Sequence, residues 1–165
     1  MDPADVFKKR NFSKVNFDYE ELIGRNLSNS NLKGVDLKNR DIHNADLSGS
    51  DLSGSDLSDT ILFNVKLRGA DLQNVNLSNA KLWDTDLYGV DLTNANISGA
   101  DLFYADLRNA DLRNVNLSGV NLRHTNFDGA TFTSIDFTNA NYDSDTLDTI
   151  SKDIKLILKL QGNLW

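Results

Sequence analysis

Large apolar residues recur at every fifth position along most of this chain, from position 7 to position 142. Leucine is the usual residue in the middle of the chain, and phenylalanine takes over near both ends of the pattern. The position two residues before each of these apolar centres is nearly always Ala, Val, Ser or Thr over residues 30–140, with Arg40 and Ile135 the clear departures. A five-residue unit with two inward-facing positions therefore organises this part of the chain.

A period of five matches neither regular secondary structure. On an α-helix, five residues turn by about 140°, which would spread the apolar centres over every face. On a straight strand, an odd step would place them alternately on opposite faces. The chain must therefore turn a corner in every repeat. The position two residues after each centre supplies that corner, because glycine and asparagine, which tolerate positive φ, dominate it, as at Gly34, Gly54, Asn64 and Asn74.

The repeating unit is a small residue, Asp or Asn, Leu, a polar residue, and Gly or Asn. In the forms GADLQ, NANIS, GADLF, NADLR and GATFT it resembles the pentapeptide-repeat family, whose pattern is close to A(D/N)LXX. The resemblance covers residues 5–144 without an insertion and implies an all-β fold, a right-handed quadrilateral β-helix of about seven four-sided coils. Because repeat arrays need capped ends, we expect a β-helix over residues 1–144 with a short N-terminal cap at 1–6.

The repeat stops after Tyr142, and residues 145–165 are predicted to form a C-terminal α-helical cap on the last coil. We expect one helix from about Asp145 to Leu160, with Ser144 or Asp145 as its N-cap and Gly162 after its end. One helix face gathers apolar residues at Leu147, Ile150, Ile154, Ile157 and Leu158. Further leucines widen this arc at Leu156, Leu160 and Leu164. The helix is thus either a lid alone or a lid that also forms a homodimer.

Residues twenty apart stack on the same side of such a β-helix, so its faces can be read from the sequence. One side, the aromatic face, carries in the position after each centre Ile23, His43, Phe63, Trp83, Phe103 and Arg123. We expect Trp83 to be the middle rung of an aromatic stack, with Tyr104 beside Phe103. The neighbouring face carries a predicted cation–π ladder of Arg68, Tyr88 and Arg108.

The aromatic face has three interpretations. Aromatic residues on stacked strands stabilise a sheet by about 0.2–1 kcal/mol per pair without any partner. A contiguous apolar strip that includes Trp, Tyr and Arg is also typical of a protein-interaction patch. Stacking of a small ligand is the third. We predict a non-enzymatic scaffold that binds an unidentified protein, with a candidate site made of Phe63, Trp83, Phe103, Tyr104, Tyr88, Arg68 and Arg108.

An acidic ladder occupies the position before the centre on another face, at Asp51, Asp71, Asp91 and Asp111. Carboxylates one strand apart repel, so we expect some of their pKa values to be raised. These residues could simply bond nearby backbone groups, or they could bind a cation. The family resemblance adds a third interpretation, because fluoroquinolone-resistance members bind DNA gyrase or topoisomerase IV and are thought to imitate DNA. The alternative function is therefore a DNA mimic that binds such an enzyme through the acidic ladder.

Composition excludes several classes of function. A formal net charge of −7 argues against direct nucleic-acid binding, and no apolar run approaches the ~18 residues of a membrane span. The chain has no cysteine, so disulfides and thiol chemistry are excluded. His43 and His124 are expected to be surface residues without an adjacent nucleophile, and no phosphate loop or metal-ligand spacing occurs. We predict no catalytic, cofactor or metal site.

The expected compartment follows from the first residues of the chain. They lack a basic segment followed by an apolar one, so no export signal is visible and the cytoplasm is the default expectation. The family resemblance leaves the periplasm and the thylakoid lumen open, because some members are exported there.

Overall fold

The chain pairs with itself at a constant spacing of twenty residues in a computed structural model that describes residues 11–13, 15, 17 and 22–160. Every bridge is parallel, as in the series Asp51 to Asp71 to Asp91. The longest paired segments are β1 (Asp111–Arg113) and β2 (Thr131–Thr133), which place Leu112 opposite Phe132. Each coil therefore takes up twenty residues and lies directly on the coil before it.

The corners lie where the sequence predicts them, at every fifth residue. The glycine and asparagine corners all have positive φ, for example 65° at Gly34 and 56° at Asn64. Each corner is a tight turn, closed in one case by the Val35 N–H, which donates to the Leu32 carbonyl at 3.1 Å. Four corners in twenty residues give each coil four sides. This confirms the predicted quadrilateral β-helix, while the predicted number of coils stays a prediction.

The interior consists of the apolar centres and the small residues before them. Leu62, Leu82 and the other described leucine centres are buried, as predicted, whereas Phe132 and Tyr142 near the end of the repeat are only partly buried. Buried threonines in the small position bond the carbonyl of a centre in the preceding coil, as from Thr85 Oγ1 to Leu62 at 3.0 Å. These threonines thus stay inside without an unsatisfied hydroxyl.

The C-terminal segment differs from the prediction of one continuous helix. It forms α1 (Ser144–Thr149) and α2 (Lys152–Leu160), and the chain between them is extended at Ile150, with φ −80° and ψ 137°. The N-cap is Asp143 rather than Ser144 or Asp145, because the Asp143 carboxylate accepts the Thr146 N–H. Ile150, Ile154 and Leu158 are all buried.

Several predicted features lie outside the described residues. These are the N-terminal cap at 1–6, the helix end at Gly162, and the apolar residue Leu164. Neither helix in the described part of the chain combines the length and the apolar character that crossing a bilayer requires.

Candidate functional site

The aromatic face is not the continuous stack that the sequence predicts. His43 and Phe63 stack with ring centroids 4.6 Å apart and planes 13° apart. In the later coils, Phe103 meets the edge of Tyr104 at 4.5 Å. Trp83 lies between these two groups and contacts no other aromatic ring in the described part of the chain. The prediction that Trp83 is the middle rung of a stack is therefore wrong.

Trp83 instead lines an open cleft. The cleft has a volume of about 350 Å³ and is bounded by Asn44, Phe63, Asn64, Trp83 and Asp84. Trp83 is 43% exposed and Phe63 is 36% exposed, and the Phe63 ring stacks on His43 rather than on the indole. The structure thus brings two residues of the aromatic face together with three corner residues.

Sequence reasoning missed the three corner residues of this cleft. Asn44, Asn64 and Asp84 stand twenty residues apart, so they form one column along the edge of the aromatic face. The signal was present, because a comparison of corner positions in steps of twenty shows short polar residues at these corners and then a change to Tyr104 in the next coil. The cleft exists where the corner side chains are short.

Tyr104 and His124 continue the same column with large rings at positive φ. Their φ values are 59° and 58°, in the left-handed region that bulky residues avoid. The two rings stack at 4.6 Å with planes 11° apart, and the Tyr104 side chain is 55% exposed. Left-handed backbone costs roughly 1–2 kcal/mol per residue other than glycine. All described corners share positive φ, so the repeat imposes this conformation on the two bulky residues.

Replacing Tyr104 with asparagine distinguishes a functional ring from a structural one. We expect Tyr104→Asn to change the free energy of unfolding by less than about 0.5 kcal/mol, because relief of backbone strain offsets the loss of stacking on His124, worth about 0.5–1.5 kcal/mol. Urea unfolding followed by circular dichroism measures this, and Asn64, at φ 56°, shows that asparagine suits the corner. A loss of more than about 1.5 kcal/mol would mean that the ring is mainly structural.

The neighbouring face has the predicted cation–π arrangement. The guanidinium carbon of Arg68 lies 4.1 Å from the centre of the Tyr88 ring, and that of Arg108 lies 5.7 Å from it. Both arginines are also held by carboxylates, Arg68 by Asp86 at 3.4 Å and Arg108 by Asp106 at 2.7 Å. These cations are therefore paired within the molecule, whereas Trp83 has no such partner.

The acidic ladder is in register, but its electrostatics differ from the prediction. Asp51, Asp71, Asp91 and Asp111 bridge in sequence from coil to coil. Each accepts the N–H of the residue two further on, as Asp51 does from Ser53 at 2.9 Å. These bonds stabilise the local turn, which agrees with the interpretation that the aspartates simply bond nearby backbone groups.

The predicted rise in pKa is wrong for both ends of the ladder. Burial raises the pKa of Asp51, but hydrogen bonds from Ser53 and the charge of Lys33 outweigh it and leave the pKa below its ordinary value. Hydrogen bonds from Arg113 lower the pKa of Asp111, against a smaller opposing effect of burial. Arg113 Nη2 lies 2.6 Å from the Asp111 carboxylate. Local donors therefore dominate over repulsion between rungs.

Neither histidine is the simple surface residue that we expected. His43 is half-buried with Nδ1 2.7 Å from Asp41, and His124 is half-buried with Nδ1 2.9 Å from Asp145 and 3.4 Å from Asp143. The side-chain atoms of His124, Asp143 and Asp145 lie close enough together to hold a metal ion. However, Asp143 already accepts N–H groups from Thr146 and His124, which accounts for its position. This cluster joins α1 to the last coil.

Comparison with known proteins gives one family. A family model described as pentapeptide repeats matches eight copies over residues 41–79, 70–103 and 105–141. No curated protein matches the chain. The chain is similar to the solved structure of HetL, a pentapeptide repeat protein involved in heterocyst differentiation regulation from the cyanobacterium Nostoc sp. strain PCC 7120. The identity is 23% over 83% of this chain and 89% of HetL, with a TM-score of 0.45.

Two further solved structures are also similar. Rfr23, a pentapeptide repeat protein from the cyanobacterium Cyanothece 51142, is 35% identical over 55% of this chain and 66% of its own, with a TM-score of 0.30. Trypsin-treated QnrB1, a plasmid-mediated fluoroquinolone resistance protein, is 17% identical over 87% of this chain and 95% of its own, with a TM-score of 0.49. The family assignment rests on the repeat match, which spans more than half of the chain.

Proposed function

Because the chain belongs to the pentapeptide-repeat family, whose members form right-handed quadrilateral β-helices, we propose that it is a non-enzymatic scaffold that binds another protein. Its binding site is the aromatic face around Trp83. One observation carries this proposal, namely the uncovered indole in a cleft beside Phe63. If aromatic residues served only to stabilise the sheet, Trp83 would be stacked like His43 and Phe63.

The chemistry of the face suits a protein partner. Exposed apolar strips on a polar surface usually mark interaction sites, and Trp, Tyr and Arg are the residues that most often anchor them. Phe63, Trp83 and Tyr104 are among the few exposed large apolar residues in the described part of the chain. Tyr88, held between Arg68 and Arg108 on the neighbouring face, extends the candidate site with a rigid polar border.

The alternative is a DNA mimic that binds DNA gyrase or topoisomerase IV through the acidic ladder. The lowered pKa values of Asp51 and Asp111 favour the charged form that mimicry requires. Two kinds of contact argue against it. Each carboxylate of the ladder already accepts a backbone N–H of its own turn, and Arg113 forms an ion pair with Asp111. The aromatic face is therefore the better-supported site.

We also propose that α1 closes the end of the repeat. Its side chains satisfy backbone groups that a further coil would have bonded, with Thr146 donating to the Leu122 carbonyl at 2.6 Å and Thr149 accepting the Phe127 N–H at 3.0 Å. The homodimer predicted through this segment stays a prediction, although Leu156 of α2 is 57% exposed.

A pull-down from a lysate of the source cells, with matched variants as baits, tests the binding proposal. The baits are the wild type, a Phe63→Ser/Trp83→Ser/Phe103→Ser variant and an Asp71→Asn/Asp91→Asn variant, all shown to be folded by circular dichroism. Asparagine already occupies the same column at Asn31 and the equivalent repeat position on another face at Asn76 and Asn96, so the acidic control should fold normally. We expect a partner to be retained by the wild type and the acidic control and lost by the aromatic variant.

The captured partner is then measured in purified form. Trp83→Ala should weaken its affinity by about tenfold, as for a moderate interface anchor. Loss of the partner with the Asp71→Asn/Asp91→Asn bait and retention with the aromatic variant would contradict the proposal and favour the DNA mimic.

A further inference from the structure

Asp84 differs from the other corner aspartate, Asp59, whose carboxylate accepts a hydrogen bond from the Asn79 amide at 3.3 Å. In the part of the chain that the structure describes, Asp84 accepts no hydrogen bond and forms no ion pair. Asparagines at successive corners of one column form ladders, in which the side-chain amide of the later residue donates to the side-chain oxygen of the earlier one. Asn64 donates to Asn44 at 2.6 Å, and Asn114 donates to Asn94 at 3.0 Å.

Asp84 interrupts such a ladder in its own column. A carboxylate cannot donate to Asn64, whereas an asparagine at the same corner could. Its φ of 54° suits asparagine equally well. The aspartate therefore gives up a local hydrogen bond and leaves a negative charge on the wall of the cleft. Local rules are broken in this way mainly at functional positions.

The indole of Trp83 lines the same cleft as this charge. Asp84 is the only charged residue among the five that line the cleft. Trp has the aromatic ring that attracts cations most strongly, and here it has no ring partner within the described residues. The exposed Lys81, three residues before Asp84, does not line the cleft. The cleft thus combines a π face with a carboxylate.

The neighbouring face contains the same combination already filled. Arg68 lies over the Tyr88 ring at 4.1 Å while its Nε approaches Asp86 Oδ2 at 3.4 Å. There a guanidinium occupies the space between an aromatic ring and a carboxylate. At Trp83 and Asp84 the ring and the carboxylate are present, and none of the described residues that line the cleft is a cation.

We infer that the cleft binds an arginine side chain of the protein partner, with the guanidinium stacked on Trp83 and paired with Asp84. This inference rests on the proposed function, because it names the chemistry that the same face recognises. Arginine fits better than lysine, since its planar group stacks on a ring and pairs with a carboxylate at once. An apolar anchor would bury the Asp84 charge without a partner. The net charge of −7 also favours a basic partner.

The test uses small probes and the indole resonance of Trp83. The chain has two tryptophans, so Trp165→Phe leaves Trp83 as the only indole N–H in the nitrogen–proton spectrum. The probes are Nα-acetyl-arginine amide, its neutral isostere Nα-acetyl-citrulline amide, and Nα-acetyl-leucine amide. Each is titrated into this variant and into the same variant with Asp84→Asn.

We expect arginine amide to shift the Trp83 resonance saturably, with millimolar affinity appropriate to a single side chain. Citrulline amide should bind at least about threefold more weakly, and Asp84→Asn should weaken arginine binding by about the same factor, as for an exposed ion pair. The affinity for leucine amide should not change with Asp84→Asn, which separates loss of charge from damage to the cleft.

Other outcomes overturn the inference. Equal binding of arginine and citrulline amides, or no effect of Asp84→Asn, would show that charge plays no part. If leucine amide binds more tightly than arginine amide, the cleft is an apolar anchor site. That result contradicts the inference and leaves the proposed function standing. If no probe shifts the resonance, the inference is also wrong, and the pull-down decides the proposed function separately.

Discussion

Leu82→Ala should lower the free energy of unfolding by about 2–5 kcal/mol, the usual cost of removing a fully buried leucine side chain. Leu82 is completely buried, between Leu62 and Leu102 in the adjacent coils. The coils cannot collapse into the resulting cavity, because backbone hydrogen bonds hold their spacing. The Leu82 N–H donates to the backbone carbonyl of Asp101 at 2.7 Å, and the Leu62 N–H donates to that of Lys81 at 2.8 Å.

The control is the same chemical change at a surface position. Leu156 in α2 is 57% exposed, so Leu156→Ala should change the free energy of unfolding by less than about 0.5 kcal/mol. Both variants are measured by urea unfolding with linear extrapolation. If Leu82→Ala costs no more than Leu156→Ala, the stacked leucines do not provide the stability of the repeat.

Asp143→Ala should lower the free energy of unfolding by about 1–3 kcal/mol, the range for losing an N-cap together with a partner for a second backbone donor. The Asp143 carboxylate accepts the Thr146 N–H of α1 at 3.0 Å and the His124 N–H of the last coil at 3.2 Å. Removing it should release the helix and that coil together. Faster hydrogen exchange at the Phe127 amide, which donates to Thr149, would report the same event.

The effect should depend on pH in a defined direction. Burial raises the pKa of Asp143, but hydrogen bonds from Thr146 and His124, with the charge of His124, outweigh it and leave the pKa below its ordinary value. A lowered folded-state pKa means that the stabilisation is complete above the unfolded value of about 4 and is lost as the pH falls through the folded value. The difference between wild type and Asp143→Asn should therefore shrink below about pH 4.

Asp143→Asn serves as the conservative variant, because it keeps an acceptor oxygen and removes only the charge. We expect it to cost less than Asp143→Ala at pH 7. A wild-type to Asp143→Asn difference that stays constant down to about pH 3 would show that the Asp143 charge contributes nothing to this junction.

The cap shows where sequence reasoning reached its limit. The apolar spacing correctly indicates a helical segment whose Ile150, Ile154 and Leu158 are buried. It does not show the break at Ile150, because a helical period is compatible with one helix or with two that pack on the same surface. The sequence places the N-cap one or two residues late, because Asp143, Ser144 and Asp145 are all suitable N-cap residues and only the bond from the Thr146 N–H identifies Asp143.

The sequence by itself determined the corners and the interior, and its resemblance to the pentapeptide-repeat family implied the four-sided β-helix. The five-residue period requires a corner in every repeat, and Leu82 and Asn64 occupy their predicted positions. Only the tertiary structure decided what the outward side chains do. The repeat assigns Phe63 and Trp83 to one face, but their ring orientations depend on side-chain rotamers and on neighbours twenty residues away. The Phe63 ring stacks on His43 rather than on the indole, and Trp83 is exposed beside Asp84.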